Sequence, residues 1–178
     1  MHVRKMLYAA VALMAGGSSA TLAATAMGPV CNSTAMVIST TYHSCTGTTH
    51  SALDIGGVTC GEPVRGPLSG NYYYRLYSGC ANTCSGSTCN GGAGNYFVVS
   101  GATGWDFRIL HLNTDSTSLS KTCDRCQIGT VGATGTSAGA HIHMDNRQYG
   151  TRFTAWYSGV VTCGSPAGCT NIIGYPTL

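Results

Sequence analysis

The stretch SAGAHIHMDNR, residues 137–147, places two histidines one residue apart in a chain that contains only six. Apolar and polar side chains alternate after Ala140, and this alternation predicts a β-strand with one apolar and one polar face. The polar face would hold His141, His143, Asp145 and Arg147, and the apolar face Ile142 and Met144. Two imidazoles at positions i and i+2 of a strand lie about 6–7 Å apart on one face. This spacing suits two ligands of one metal ion, or one ligand beside one catalytic group.

Short β-branched and aromatic runs recur along the rest of the chain, between turn-rich stretches. They are AMVIST (35–40), PVRGPLSG (63–70), NYYYRLYS (71–78), NYFVVSG (95–101), WDFRILHL (105–112) and TRFTAWYSG (151–159). No segment after the first 26 residues shows an apolar period of 3.6, and the chain contains 25 glycines. We therefore predict an all-β fold, a single antiparallel β-sheet domain.

The first residues have the composition of a secretion signal. Arg4 and Lys5 precede the apolar run MLYAAVALMAGG, which is shorter than the roughly 18 residues that a membrane-spanning helix needs. We predict that residues 1–26 are a signal peptide that is removed, with Ala20 and Ala24 as other possible cleavage points, and that residues 27–178 form one domain. A retained membrane anchor is the alternative. The protein is expected to be secreted, outside the cell or in the cell envelope.

Ten cysteines follow the predicted signal, an even number that favours disulfides in an exported chain. They are Cys31, Cys45, Cys60, Cys80, Cys84, Cys89, Cys123, Cys126, Cys163 and Cys169. The alternative is a zinc knuckle at Cys123 and Cys126, but no second C-x-x-C pair accompanies it. The sequence alone does not assign the pairing.

The charge and the acidic residues exclude several functions. Without Arg4 and Lys5, seven Lys and Arg residues face six Asp and Glu residues, and no basic block indicates a nucleic-acid partner. Glu62 is the only glutamate in the chain. This excludes H-E-x-x-H metallopeptidase chemistry and glycosidases that use a pair of glutamates.

A second candidate motif is THSALDIG, residues 49–56, which contains His50 and Asp54. Imidazole nitrogen and carboxylate oxygen are both suitable zinc ligands, and their donor atoms must meet within about 4 Å. Four residues of a flat strand span roughly 13 Å, so the segment has to bend if both residues bind one ion. Gly47, Gly56 and Gly57 permit such a bend.

Five motifs in a fixed order resemble the lysostaphin/LytM family of zinc endopeptidases, which cut the peptides of bacterial peptidoglycan. They are HSALDIG, PVRGPLSG, GNYFVVSG, ILHL and IGTVGATGTSAGAHIHMDNR, and they extend from His50 to Arg147. The staphylolysin and β-lytic proteases are relatives of this family. The resemblance implies an antiparallel sheet with long loops, here stapled by disulfides, and an open groove that bears zinc.

The resemblance also implies a role for each histidine of the motifs. His50, Asp54 and His143 match the family's three zinc ligands, which would hold one zinc ion per chain. His111, in ILHL, and His141 match its two catalytic histidines that do not bind the metal. The two members of His-x-His would thus differ, since one holds the metal and the other assists the chemistry. For His111 the alternative is a core histidine with its hydrogen bonds satisfied.

The function implied is a secreted zinc endopeptidase that hydrolyses peptide cross-links of peptidoglycan with zinc-activated water. Three protein ligands leave zinc an open position for water, and zinc lowers the pKa of that water towards 7. No suitable glutamate is present, so a neutral histidine must be the base. We expect a monomer whose partner is the cell-wall peptide, with no nucleic acid and no membrane span after the signal is removed.

Three questions stay open at the level of sequence. His43, in YHSCTGTTHSALD, is a second candidate for the first zinc ligand, because the staphylolysin-like subgroup places its histidine farther before the aspartate. We favour His50, since H-x-x-x-D is the commoner spacing. The protein could also be an inactive relative that binds the cell wall, or a disulfide-rich structural β module. The sequence does not indicate which peptide bond is cut.

Overall fold

The computed structural model describes residues 25–39, 52–68, 72–100, 104–114, 120–152 and 161–174. These residues form twelve β-strands and one short 3₁₀ helix, Cys89–Gly92. The strands are β1 (Ala26–Met27), β2 (Met36–Ser39), β3 (Leu53–Gly56), β4 (Pro63–Arg65), β5 (Tyr72–Tyr77), β6 (Asn95–Ser100), β7 (Trp105–Leu112), β8 (Ser120–Cys123), β9 (Gln127–Thr130), β10 (Ile142–Gln148), β11 (Thr151–Arg152) and β12 (Ile172–Gly174). The predicted all-β fold is confirmed.

One antiparallel sheet organises the described residues. Its strand order is β2-β3-β10-β7-β6-β5-β8, and β11 pairs with β10 as a hairpin. Two small antiparallel sheets, β1 with β12 and β4 with β9, complete the fold. Among the described residues no helix is long and apolar enough to cross a membrane.

The central strands alternate between a core face and a polar face, as the His-x-His stretch predicted. Ile142 and Met144 of β10 are fully buried, together with Phe107 and Ile109 of β7. Met144 is the cross-strand partner of Ile109, so the apolar side chains of the two strands meet on one face. Burial of this face is the main force that fixes the register of the sheet.

Disulfides connect the loops to one another. The structure pairs Cys31 with Cys169, Cys60 with Cys84 and Cys80 with Cys89. Cys126 and Cys163 are also in disulfides, and no described cysteine is free. The disulfide hypothesis is confirmed for these residues, and the zinc knuckle at Cys126 is excluded, because a sulfur in a disulfide cannot act as a thiolate ligand.

Two of these bridges shape the long connection between β5 and β6, which we call the wall loop (residues 78–94). Cys80–Cys89 closes the loop on itself, and Cys60–Cys84 ties it to the turn between β3 and β4. The 3₁₀ turn lies in this loop, where Asn90 and Gly91 adopt left-handed backbone angles. The covalent closures thus replace the hydrogen-bond ladder that this segment lacks.

Some predictions fall partly outside the described residues. The run TRFTAWYSG begins with β11, and residues 153–160 are not described. His43, Cys45 and His50 also lie outside the described residues. The glycine-rich segment GTVGATG, residues 129–135, ends β9 and leads into the connection that runs to β10.

We predict that the disulfides differ in how much they stabilise the folded protein. Cys31–Cys169 spans 138 residues of sequence and Cys80–Cys89 only 9. By loop entropy, replacing both cysteines with serine should lower the free energy of unfolding by about 5 kcal/mol for the first pair and about 3 kcal/mol for the second. Urea unfolding of the two double variants measures this order, and equal losses would contradict it.

Candidate metal centre

Three histidines meet at the polar face of the sheet. His143 lies on β10, His111 lies near the end of β7, and His141 precedes β10, where it bridges to Gly132. One potential ligand atom from each lies within 4.8 Å of the others. The ring of His111 has its centroid 5.0 Å from that of His141 and 5.4 Å from that of His143. The two predicted catalytic histidines, His111 and His141, are therefore neighbours of the predicted ligand His143.

Asp54 joins this cluster through strand pairing. It lies on β3 directly opposite His143 of β10, so the two side chains share a face. Asp54 Oδ1 is 3.0 Å from His143 Nδ1 and 3.9 Å from His141 Nε2. The structure thus unites Asp54, His111, His141 and His143, four of the five predicted site residues.

The donor atoms fit a zinc ion. Zinc with bonds of about 2.0–2.1 Å in tetrahedral geometry holds its ligand atoms roughly 3.3 Å apart. The 3.0 Å separation between Asp54 Oδ1 and His143 Nδ1 is close to this value. The three histidines alone form a second possible donor set. The third predicted ligand, His50, lies outside the described residues, so the choice between His50 and His43 stays a prediction.

His111 is held in an unusual backbone conformation. Its φ is 65°, in the left-handed region, which costs about 1–2 kcal/mol for a residue other than glycine. Its amide donates to the carbonyl of Ala93 in the wall loop, at 3.2 Å. This conformation interrupts the strand's alternation and turns the ring towards the other two histidines.

The hydrogen bond of His111 determines which nitrogen is available for chemistry. Nδ1 lies 2.8 Å from the carbonyl oxygen of Thr134, and a carbonyl can only accept, so Nδ1 carries the proton. Nε2 then presents a lone pair. Burial of the ring is the main cause, and repulsion from His141 the second, of a pKa of His111 that is lowered to about 4. The ring is therefore neutral near pH 7, and its role in catalysis stays a prediction.

His141 is oriented in the same way by different atoms. Its Nδ1 lies 2.9 Å from the carbonyl oxygen of Gly139 and 3.1 Å from Ser137 Oγ. Ser137 Oγ in turn donates to the Gly139 carbonyl at 2.7 Å. The carbonyl fixes the proton on Nδ1, which leaves the Nε2 lone pair of His141 on the side of Asp54.

A buried polar network supports His111 from below. Thr134 Oγ1 donates to the Leu112 carbonyl at 2.9 Å and accepts from the amide of Asn95, also at 2.9 Å. The Asn95 side chain bonds both the amide and the carbonyl of Cys80. Thr134 and Asn95 are fully buried. The network therefore connects the disulfide-bonded wall loop to the residue that orients His111.

Sequence reasoning did not single out Thr134 or Asn95. The available signal is a pair of glycine-rich segments, GTVGATG and the end of the wall loop. Their backbones approach closely at Gly94. A Cβ on Gly94 would clash with the Thr134 carbonyl oxygen, and Gly94 also has a φ of +67°. Glycine is required there on both counts.

The cluster opens into a groove of about 650 Å³. The described residues that line it come from the wall loop, from five strands of the sheet and from the connection before β10. They are Tyr77, Ser78, Asn90, Gly91, Gly92, Ala93, Tyr96, Arg108, Leu110, His111, Thr136, His143, Arg147 and Arg152. The open groove expected from the resemblance is present, and one of its walls is the disulfide-bonded loop.

Asp145 lies beneath the groove, next to the metal centre. Its carboxylate accepts two hydrogen bonds of 2.7 Å from Arg108, and Oδ2 is 3.9 Å from His143 Nε2. Burial alone would raise the pKa of Asp145, but the bonds and charge of Arg108 outweigh it and lower the pKa. At 3.9 Å the approach of Asp145 to His143 is an electrostatic contact and not a hydrogen bond.

No protein-family model and no curated protein matches this chain. Solved structures do match. The catalytic domain of the prophage-encoded M23 protein EnpA from Enterococcus faecalis has a TM-score of 0.50 at 18% identity, over 75% of this chain and 98% of that one. A zinc-containing peptidase from Vibrio cholerae gives 0.46 at 20% identity, and the lysostaphin catalytic domain from Staphylococcus simulans gives 0.42 at 21%.

The coverage of these structures differs. The match to the Vibrio cholerae peptidase spans 74% of this chain but 39% of that protein, and the match to lysostaphin spans 61% and 77%. At these identities the likeness establishes the fold alone, and of these three structures the EnpA domain, with a TM-score of 0.50, supports it. The resemblance drawn from the sequence is confirmed at that level, since the chain has the fold of an M23 peptidase domain.

We predict one zinc ion per chain. Asp54→Ala and His143→Ala should each abolish zinc binding, because both remove a donor from a single site. Asp106→Ala is the matched control, since Asp106 lies on β7 and bonds Ser100 rather than the cluster. Zinc is measured by elemental analysis of purified protein. Full zinc content in either site variant would show that the ligand assignment is wrong.

The same measurement decides the first ligand. His50→Ala should empty the site, and His43→Ala should keep it filled. The reverse result would assign His43 and favour the staphylolysin-like spacing. Loss of zinc from His111→Ala would instead favour the set of three histidines.

His111 should make the metal-free protein sensitive to acid. Its folded pKa of about 4 is lower than the unfolded value near 6.5, so the unfolded chain binds the proton first as the pH falls. The contribution of His111 to the free energy of unfolding is therefore fully present above about pH 6.5. It falls by roughly 3 kcal/mol as the pH is lowered through 4. His111→Gln should flatten that slope in urea unfolding with a chelator present, and parallel profiles would contradict the assignment.

Proposed function

We propose that this chain is a secreted zinc endopeptidase that hydrolyses peptide cross-links of bacterial peptidoglycan. The observation that supports it most strongly is the meeting of Asp54, His111, His141 and His143 in one cluster, of which His111 and His143 line an open groove. The fold likeness to the EnpA catalytic domain makes this chemistry reasonable for the site.

Asp54 and His143 would hold the zinc, together with His50. When bound there, zinc polarises the scissile carbonyl and lowers the pKa of water, as in other catalytic zinc sites. Asp145 lies on the other side of the His143 ring from Asp54, with Oδ2 3.9 Å from Nε2, and this carboxylate is held by Arg108. A buried acid–arginine pair is thus the electrostatic neighbour of the donor set.

His111 and His141 would move the protons. Each presents a lone pair on Nε2, because a backbone carbonyl holds the single N–H proton of the neutral ring on Nδ1. A neutral imidazole in this state can take a proton from the attacking water at Nε2 and return it to the leaving amine. Burial, and to a smaller extent repulsion from His141, lower the pKa of His111, which keeps its ring neutral and able to accept a proton near pH 7.

The single glutamate is occupied elsewhere. Glu62 accepts a 2.7 Å hydrogen bond from Asn32 and a 2.6 Å bond from the amide of Thr59, in the turn between β3 and β4. It closes that turn and takes no part in the cluster. This leaves the histidines as the bases of the described site.

We also propose that the protein is exported and that it is a monomer. Disulfides in loops that build the groove favour an oxidising compartment. Ala26 is buried in β1 opposite Gly174, so removal of residues 1–26 would shorten this strand. Cleavage after Ala20 would keep β1 whole. The intact mass of the secreted protein decides between the sites: a chain that begins at Met27 would confirm cleavage after Ala26, and one that begins at Thr21 would place it after Ala20.

The decisive experiment is digestion of purified peptidoglycans that differ in their cross-bridges, with the products identified by mass spectrometry. Release of new amino termini that stops with a chelator and returns with zinc would support the proposal. Zinc-loaded protein that binds peptidoglycan without cleaving any of them would favour the inactive relative.

We predict that His111→Ala and His141→Ala keep zinc but lose turnover by about 10² or more, the scale of general acid–base catalysis. The rate on the same peptidoglycan and the zinc content are measured together, so that a loss of metal is recognised as such. Near-normal turnover in either variant would remove that histidine from the proposed chemistry.

A further inference from the structure

Three arginines line the groove beyond the histidines, and we call them the arginine end: Arg108, Arg147 and Arg152. They lie on the adjacent strands β7, β10 and β11. Arg152 pairs with Arg147 across the β10–β11 hairpin, and Arg108 pairs with Asp145. The pairing of strands therefore gathers guanidinium groups at one end of the same groove that holds the cluster.

Positive charge exceeds negative charge at this end. One buried carboxylate, Asp145, faces all three arginines, with Oδ2 at 2.7 Å from Arg108, 3.5 Å from Arg147 and 3.6 Å from Arg152. Asp106 pairs with Arg147 in the sheet register, but its carboxylate accepts from Ser100. No acidic residue lines the groove among the described residues. Even with both acids counted, the arginine end has a net positive charge.

The arginines differ in how firmly they are held. Arg108 uses Nε and Nη2 on Asp145, and its guanidinium lies 5.6 Å from the ring centroid of Tyr96, which stacks on Tyr77. Arg147 makes longer contacts, 3.5 Å to Asp145 and 3.4 Å to the Gly150 carbonyl. Its Nε is buried and has no hydrogen-bond partner among the described residues. Contacts near 3.5 Å are weak, so the terminal Nη1 and Nη2 of Arg147 are the donors that a ligand can engage.

We propose that the arginine end binds a free carboxylate of the peptide substrate, and this rests on the proposed function. Along β10, Asp145 is about 6–7 Å and Arg147 about 13 Å from His143, at about 3.3 Å per residue. An extended peptide in the groove would thus place the carboxylate about two to four residues from the bond that is cut. Arginine suits this task because its planar fork matches a carboxylate.

The test compares two forms of one substrate, soluble cross-linked muropeptides with free carboxylates and the same muropeptides amidated with carbodiimide and ammonium chloride. Wild-type protein should cleave the free form with a kcat/KM about tenfold or more above the amidated form, since a charge-assisted pair is lost. Arg147→Gln and Arg152→Gln should cleave both forms at a similar, lower rate. Arg147→Lys should keep part of the preference.

Arg65→Gln is the matched control, because it removes the same charge from an exposed residue outside the groove. It should keep the full preference. Equal cleavage of both forms by the wild type, or an undiminished preference in both Gln variants, would overturn the carboxylate subsite and leave the endopeptidase intact.

Binding separates the two proposals. Zinc-loaded His141→Ala is titrated calorimetrically with both muropeptides, so that no turnover is needed. Tighter binding of the free form, without hydrolysis by the wild type, would support the subsite and contradict the endopeptidase. Equal binding of both forms would overturn the subsite.

Discussion

The register of β10 between β3 and β7 is the constraint on which the site depends. It places His143 opposite both Asp54 and Leu110, and Asp145 opposite Arg108. A slip of one residue would turn every side chain of β10 to the other face. The histidine and the acid would then enter the core, so burial of the apolar face is also what assembles the donor set.

The second requirement is a set of contacts that holds His111 in the cluster, because regular strand geometry alone would direct its side chain elsewhere. His111 adopts a left-handed φ and points towards the cluster only because Ala93 and Thr134 hold its backbone and ring. Thr134 is tied through Asn95 to the wall loop. The site is therefore built by three separate parts of the chain, the paired strands, the glycine-rich connection before β10 and the disulfide-bonded wall.

Local patterns made much of this predictable. The alternation around His141 and His143 gave strand, faces and core residues correctly, and the ordered motifs added Asp54 and His111. Cross-strand partners are not written in local sequence, so the Arg108–Asp145 pair and the Thr134 network could not be predicted. The left-handed φ of His111 was hidden for the same reason, because contacts distant in sequence impose it. The assignment of His50 depends on residues that the structure does not describe.

The disulfides at the wall loop tie the finished groove to redox conditions. In a reducing cytosol, Cys60, Cys80, Cys84 and Cys89 would be thiols, and the loop would lose both covalent closures. The same loop provides the Ala93 carbonyl and the contact to Asn95 that hold His111 in place. Oxidation of these cysteines would then act as a maturation step, so that the complete groove forms only after the bridges have closed.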